Sequence, residues 1–139
     1  MNRRAMGRGA WIAGIAAALL VVACVLPWYT AGGGTPGIPP VVLRAFDGPG
    51  VAAFVAGLAT IALVVLPFAA GDQPISIDHW ISYLVLAILG TAGWVIQLMG
   101  YLGRDLSGLR PDRASGTWLA AFALIALFRA VVEVRAARR

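Results

Sequence analysis

Lysine is missing from this chain altogether: all eleven basic residues are arginine. Acidic residues number only six, and there is one histidine and one cysteine. A single cysteine rules out an intramolecular disulfide, so it carries no information on redox compartment. The one histidine, His79, stands near Asp72 and Asp78. That group offers too few ligands for a convincing metal site, and a solvated helix end is its ordinary use. There is no Ser-His-Asp arrangement, no phosphate-binding glycine loop and no cysteine pair. No catalytic residue, cofactor site or metal site is therefore expected, and the chain is not read as an enzyme.

Charge is the scarcest commodity. Only 12% of residues are charged, against 60% hydrophobic, where a soluble domain is about one-quarter charged. The mean hydropathy is +0.85. The apolar residues are gathered in four runs, Ala10 to Leu26, Val51 to Ala70, Trp80 to Tyr101 and Thr117 to Val134, none charged near its middle. A spanning helix needs about 20 mainly apolar residues. The expected fold is thus an all-α membrane protein: a four-transmembrane-helix antiparallel bundle with a Gly/Pro-rich first outer loop. One transmembrane domain would occupy residues 1–139, with spans near 10–27, 50–70, 79–101 and 117–135.

The net charge of +5 points to a membrane surface and not to nucleic acid, because no aromatic residues interleave with the arginines. Positive residues favour the cytoplasmic side. With a cytoplasmic N-terminus, Arg3, Arg4, Arg8, Arg129, Arg135, Arg138 and Arg139 lie inside, while Arg44, Arg104, Arg110 and Arg113 lie outside. Both termini are therefore expected inside. The arginine-only, Ala- and Gly-rich composition suits a GC-rich bacterial genome, so the expected location is a bacterial plasma membrane. Aromatic rings collect at membrane interfaces. Trp11, Phe68, Trp80, Tyr83 and Phe128 are assigned to the inner level, and Trp28, Tyr29, Phe46, Phe54, Tyr101 and Trp118 to the outer.

Local signals refine the plan. Pro27 ends the first span, Asp47 and Pro49 suggest a cap and first turn for the second, Asp78 caps the third, and Ser115 or Thr117 the fourth. Residues 31–40, rich in Gly and Pro, should be irregular, with a short extended piece at 40–43. Val21-Val22-Ala23-Cys24 resembles a lipoprotein cleavage box. The apolar run continues past Cys24 to Trp28, so a buried cysteine in an uncleaved span is preferred. Small residues recur at helical spacing at Ala10, Gly14 and Ala18, at Ala52, Ala56 and Thr60, at Gly90 and Gly93, and at Ala126 and Ala130. These allow close helix packing, read either as an oligomer contact or, preferably, as packing within one bundle. Inside the spans, Gln97 should bond a neighbouring helix. Thr60, Ser82 and Thr91 should bond backbone carbonyls one turn back, and Arg129 should pair with Glu133.

The one concentration of polar chemistry is at the outer face: Arg44, Asp47, Arg104, Asp105, Arg110, Asp112 and Arg113. Two readings stand side by side. One is an ion-pair network tying the first and third connections, with Arg44 on Asp105 or Asp112 and Asp47 on Arg110 or Arg113. The other is a site for an anionic ligand or partner. The two connections also look alike, each leading into an Ala-Ala-Phe helix start at Ala52 to Phe54 and Ala120 to Phe122, as two repeated hairpins would.

Leu26-Pro27-Trp28-Tyr29, the Gly-rich loop, Ala45-Phe46-Asp47-Gly48 and Leu109-Arg110-Pro111-Asp112-Arg113-Ala114 together resemble uncharacterised small four-span integral membrane proteins of actinobacteria and related bacteria. The resemblance implies the fold and no activity. The plan is also similar to that of claudin-like tetraspan proteins, but their paired loop cysteines are missing and nothing is carried over. The expected role is a structural or accessory subunit of a membrane assembly, in contact with the lipid bilayer and with other membrane proteins or itself. The alternative is a small oligomeric transporter or channel component.

Overall fold

The computed structural model describes residues 6–71 and 80–137. Four helices account for most of them: α1 (Arg8–Val25), α2 (Val51–Ala69), α3 (Trp80–Leu102) and α4 (Ser115–Ala136). Each is long and apolar enough to cross a membrane, the make-up of a multi-pass membrane protein. Helix is the form such sequences take in lipid, because it satisfies every backbone polar group within one segment. The helix bounds fall within two residues of the expected span bounds at each end. α1 stops at Val25 because Pro27 drives the residue before it into extended backbone; Leu26 sits at φ −76°, ψ 162°.

The helices form a ring of contacts. α1 packs on α2 and α4, and α3 packs on α2 and α4. Two apolar clusters fill the interior, one at each end. The first gathers Leu20, Cys24, Trp28, Tyr29, Ala53, Tyr101 and Leu124. The second gathers Ala13, Val64, Tyr83, Ala87, Leu127 and Val131. The second cluster lies toward the start of α1 and the end of α4, where a Cβ on Gly9 would come within 2.7 Å of Val134. Large apolar side chains also cover the outside of every helix, among them Ile15, Val55, Ile96 and Phe122. In water such surfaces would be a liability; against lipid they need no cover.

Two expectations are corrected here. Not all the aromatics form belts. Trp28, Tyr29, Tyr83 and Tyr101 are buried, while Trp11, Phe68 and Trp118 are exposed. The ring that follows Pro27 turns back under the first connection, because that connection folds over the helix ends. The small-residue stripe of α1 also faces elsewhere. Inside the protein α1 buries Gly9, Ala13, Ala16, Ala17, Leu20, Ala23 and Cys24. Ala10, Gly14 and Ala18 instead line an open apolar groove of about 280 Å³ with Met6, Trp11, Ile15 and Val64. The stripes of α2 and α3 do pack inward: Ala56 and Thr60 are buried and Ala52 is half-buried, with Ala53 and Gly57 beside them buried, as are Gly90 and Gly93.

Cys24 is fully buried within α1. The proposed cap Asp78 and the His79 group lie outside the described residues.

Candidate functional site

The first and third connections meet over one end of the helices and form a cap. In the first, β1 (Tyr29–Ala31) and β2 (Val41–Leu43) pair antiparallel, Thr30 opposite Val42. The extended piece near 40–43 is thus present, but its partner β1 was not foreseen. Glycines 32, 33 and 37, all at positive φ, turn the chain between them, which only glycine does without strain. A 3-10 turn at Ala45–Asp47 then leads into α2, and a second at Leu106–Leu109 precedes α4. The two connections therefore share a short turn before a helix, in keeping with their similar sequences. The likeness ends there, since Phe54 is half-buried and Phe122 is exposed.

Hydrogen bonds to backbone hold the two connections together. Tyr29 Oη donates to the Asp105 carbonyl at 2.9 Å, and Thr30 Oγ1 to the Arg113 carbonyl at 2.7 Å. The Arg113 guanidinium donates to the Gly32 carbonyl at 2.6 Å. Thr117 Oγ1 donates to the Trp28 carbonyl at 2.6 Å, and Gly116 N to the Pro27 carbonyl at 2.8 Å. Beneath them the Tyr29 and Tyr101 rings stack 4.9 Å apart, and Arg104 lies 5.9 Å from the Tyr29 ring centre. Two glycines let these parts approach. A Cβ on Gly108 would meet the Thr30 carbonyl at 2.6 Å, and one on Gly116 would meet Trp28 at 2.6 Å and the Leu26 carbonyl at 2.8 Å.

Gln97 is the hub on the helix side. Its Oε1 accepts from Gly50 N, and its Nε2 donates to the Arg44 carbonyl at 2.8 Å and to Tyr101 Oη at 2.6 Å. The residue bonds across to the start of α2, as expected. It satisfies one of the donors that a helix N-terminus leaves open. None of Asp47, Ser115 and Thr117 caps a long helix. The Asp47 carboxylate accepts from Arg44 N at 2.6 Å, and α4 starts behind Ala114 with no side-chain cap.

The expected ion pairs across the cap do not form. Among the described residues no guanidinium of Arg44, Arg104, Arg110 or Arg113 lies within 4 Å of a carboxylate, and the ion pair is Arg129–Glu133 at 3.2 Å, on α4. The reason is local. Asp105 accepts from Ser107 Oγ at 2.6 Å and from Ser107 N at 3.0 Å, and Asp47 has taken Arg44 N. A bond two or three residues away orders little chain. A bridge between exposed side chains must order two long ones for a small return. The Ser107 hydroxyl and amide hold the Asp105 carboxyl below the ordinary aspartate range, with Arg113 and Arg110 adding to the effect. The stabilisation this turn gives is complete above the usual aspartate pKa and is lost as pH falls through the lowered one. Asp112 and the four arginines thus sit on the two connections of the cap without an ion pair among the described residues.

No protein family, curated protein or solved structure matches the chain. What the site can do rests on its own geometry. Within the helices, the polar side chains serve the fold. Thr60 and Thr91 each donate to the carbonyl one turn back at 2.7 Å, and Trp94 Nε1 donates to the Thr117 carbonyl at 3.0 Å. Among the described residues the buried polar side chains are Thr60, Gln97 and Thr117, and each has a partner. No group of three potential metal ligands occurs among them. At the opposite end Arg135 lies 5.0 Å from the Trp80 ring centre, tying the end of α4 to the start of α3.

Sequence reasoning passed over Thr30, Gly108 and Gly116, and it placed Trp28, Tyr29 and Thr117 at this end in other roles, without the bonds they make. Their partners are mostly carbonyls, which have no signature in a sequence. The Asp105-Leu106-Ser107 turn is the one part with a local signal that could have found it, since aspartate readily bonds the amide two residues on.

Proposed function

We propose that the chain is an antiparallel four-helix bundle of a bacterial plasma membrane, both termini cytoplasmic, that serves as a structural or accessory subunit of a membrane assembly. It would stand with the small four-span proteins of actinobacteria and related bacteria that its sequence resembles. The observation that carries the reading is the use of polar side chains in the spans. Gln97, Thr60, Thr91, Trp94 and Thr117 all bond to the protein itself. Transport pathways are marked by ionisable groups facing an interior path, and the buried polar residues described here are uncharged. The cap adds a rigid, arginine-bearing face, and the outward Ala10-Gly14-Ala18 groove offers a seat for a neighbouring helix.

Purification in mild detergent tests this. The wild-type chain should carry a membrane partner that Gly14→Leu releases while its own helical content is unchanged. A Leu at this position projects into the groove, since the first added carbon meets only ordinary contact with Val64, at 3.6 Å. A chain that purifies alone and moves a solute across reconstituted vesicles would replace this reading with the transporter one.

A further inference from the structure

The hairpin of the cap carries apolar surface that the helices leave uncovered. Ile38, Pro39, Pro40, Val41 and Val42 are consecutive and all exposed, Ile38 by 62% and Val41 by 59%. From Tyr29 to Leu43 there is no charged residue at all. The two strands are not equivalent. β1 packs on the Leu106–Leu109 turn and is buried at Tyr29, whereas β2 is exposed at Val41 and Val42. The apolar run therefore lies on the outer strand and its approach, away from the cap's own contacts. An exposed run of this kind outside a span marks a surface that something covers.

Helix length says where this surface lies. α1 has 18 residues and α2 has 19; at 1.5 Å per residue they are about 27 and 28 Å long. A hydrocarbon core is about 30 Å thick. The two helices that flank the hairpin are thus no longer than the core they cross, and only Leu26, Pro27 and Trp28 separate α1 from β1. The hairpin starts at the boundary of the hydrocarbon, not above it. Charge complementarity supplies the second argument. Arg44 follows β2 directly and is exposed, and its guanidinium has no carboxylate of a described residue within 4 Å. Its backbone is fixed on both sides, the amide by Asp47 and the carbonyl by Gln97. Apolar side chains beside an unneutralised arginine match the boundary between acyl chains and anionic headgroups.

We propose that the Ile38–Val42 edge of the hairpin inserts into the headgroup–acyl boundary of the adjacent leaflet, with the Arg44 guanidinium on the phosphates of anionic phospholipid. The hairpin then fixes the depth of the short helices α1 and α2. This rests on the four helices crossing a bilayer and not on the accessory-subunit role, so either can fail alone.

The test is depth-dependent fluorescence in the full chain, reconstituted into vesicles of phosphatidylcholine with and without phosphatidylglycerol. An environment-sensitive dye is attached at Val41→Cys and, separately, at Ile38→Cys, with Asp112→Cys as the cap control. The buried Cys24 leaves little background. In vesicles with phosphatidylglycerol, the dye at 38 and 41 should emit at shorter wavelength than at 112. Lipids carrying a nitroxide high on the acyl chain should quench it. Arg44→Gln should weaken the quenching in those vesicles and change little in pure phosphatidylcholine. Emission at 38 and 41 as water-like as at 112 would overturn the insertion. A shift seen only in native membranes and never in pure lipid would overturn it in favour of a protein partner. Quenching indifferent to both phosphatidylglycerol and Arg44→Gln would overturn the phosphate contact.

Discussion

Replacing Gln97 with leucine should be the most damaging polar-to-apolar change in the spans. The side chain is 4% exposed and makes three hydrogen bonds, to Gly50 N, the Arg44 carbonyl and Tyr101 Oη. Leucine fills nearly the same volume, so cavity formation contributes little. At roughly 0.6 kcal/mol for an average side-chain bond within a membrane bundle, three bonds amount to about 2 kcal/mol. The Gly50 amide is buried, with Pro49 beside it offering no donor. Stranding such a donor costs about 1–3 kcal/mol by itself. The Arg44 carbonyl is only part-buried, so water recovers some of its loss. The expected destabilisation is therefore about 2–4 kcal/mol. Thr60→Val is the internal comparison. Thr60 is equally buried, but its hydroxyl bonds the Ala56 carbonyl of its own helix. That carbonyl keeps its helical bond, so this change should cost below about 1 kcal/mol. Reversible unfolding in mixed micelles of mild and denaturing detergent, followed by far-ultraviolet circular dichroism, measures both. Tyr101→Phe completes a double-mutant cycle: it should cost less in the Gln97→Leu background than alone. A Gln97→Leu loss no larger than that of Thr60→Val, together with an additive cycle, would refute the role of Gln97 as the hub.

The remaining predictions use the same geometry. Gly116→Ala forces a methyl against Trp28 and the Leu26 carbonyl and should destabilise by about 1–3 kcal/mol. Gly7→Ala, with nothing within 4 Å, should change stability by less than about 0.5 kcal/mol in the same unfolding assay. Cys24 should resist maleimide in native micelles and react after denaturation, with an intact mass free of acylation; an acylated Cys24 would remove α1 as a span. For the proposed topology, cysteines at Gly33 and Ser107 should be labelled from outside intact cells by an impermeant reagent. Labelling of Gln73→Cys from outside would reverse the orientation.

The four helices of membrane-spanning length were legible because a bilayer imposes its demand on each segment separately. About 20 apolar residues without charge suffice, whatever their neighbours. Local chemistry was legible for the same reason: Pro27 ended α1 through the residue before it, Thr60 and Thr91 bonded one turn back, and Arg129 met Glu133 four residues on. Only the tertiary structure decided how the helices are rotated, and so which stripe of α1 is buried. Ala10-Gly14-Ala18 and Ala13-Ala17 are equally small, and the choice between them depends on what α2 and α4 present. Tertiary structure also decided what holds the cap. Arginine and aspartate counts suggested ion pairs, but Asp47 and Asp105 each found an amide within three residues, and the bonds between the two connections went to carbonyls. Every residue has a carbonyl, so no residue type announces which one will be used. That is why Tyr29, Thr30 and Thr117 became visible as the joints of the cap only when the first and third connections lay side by side.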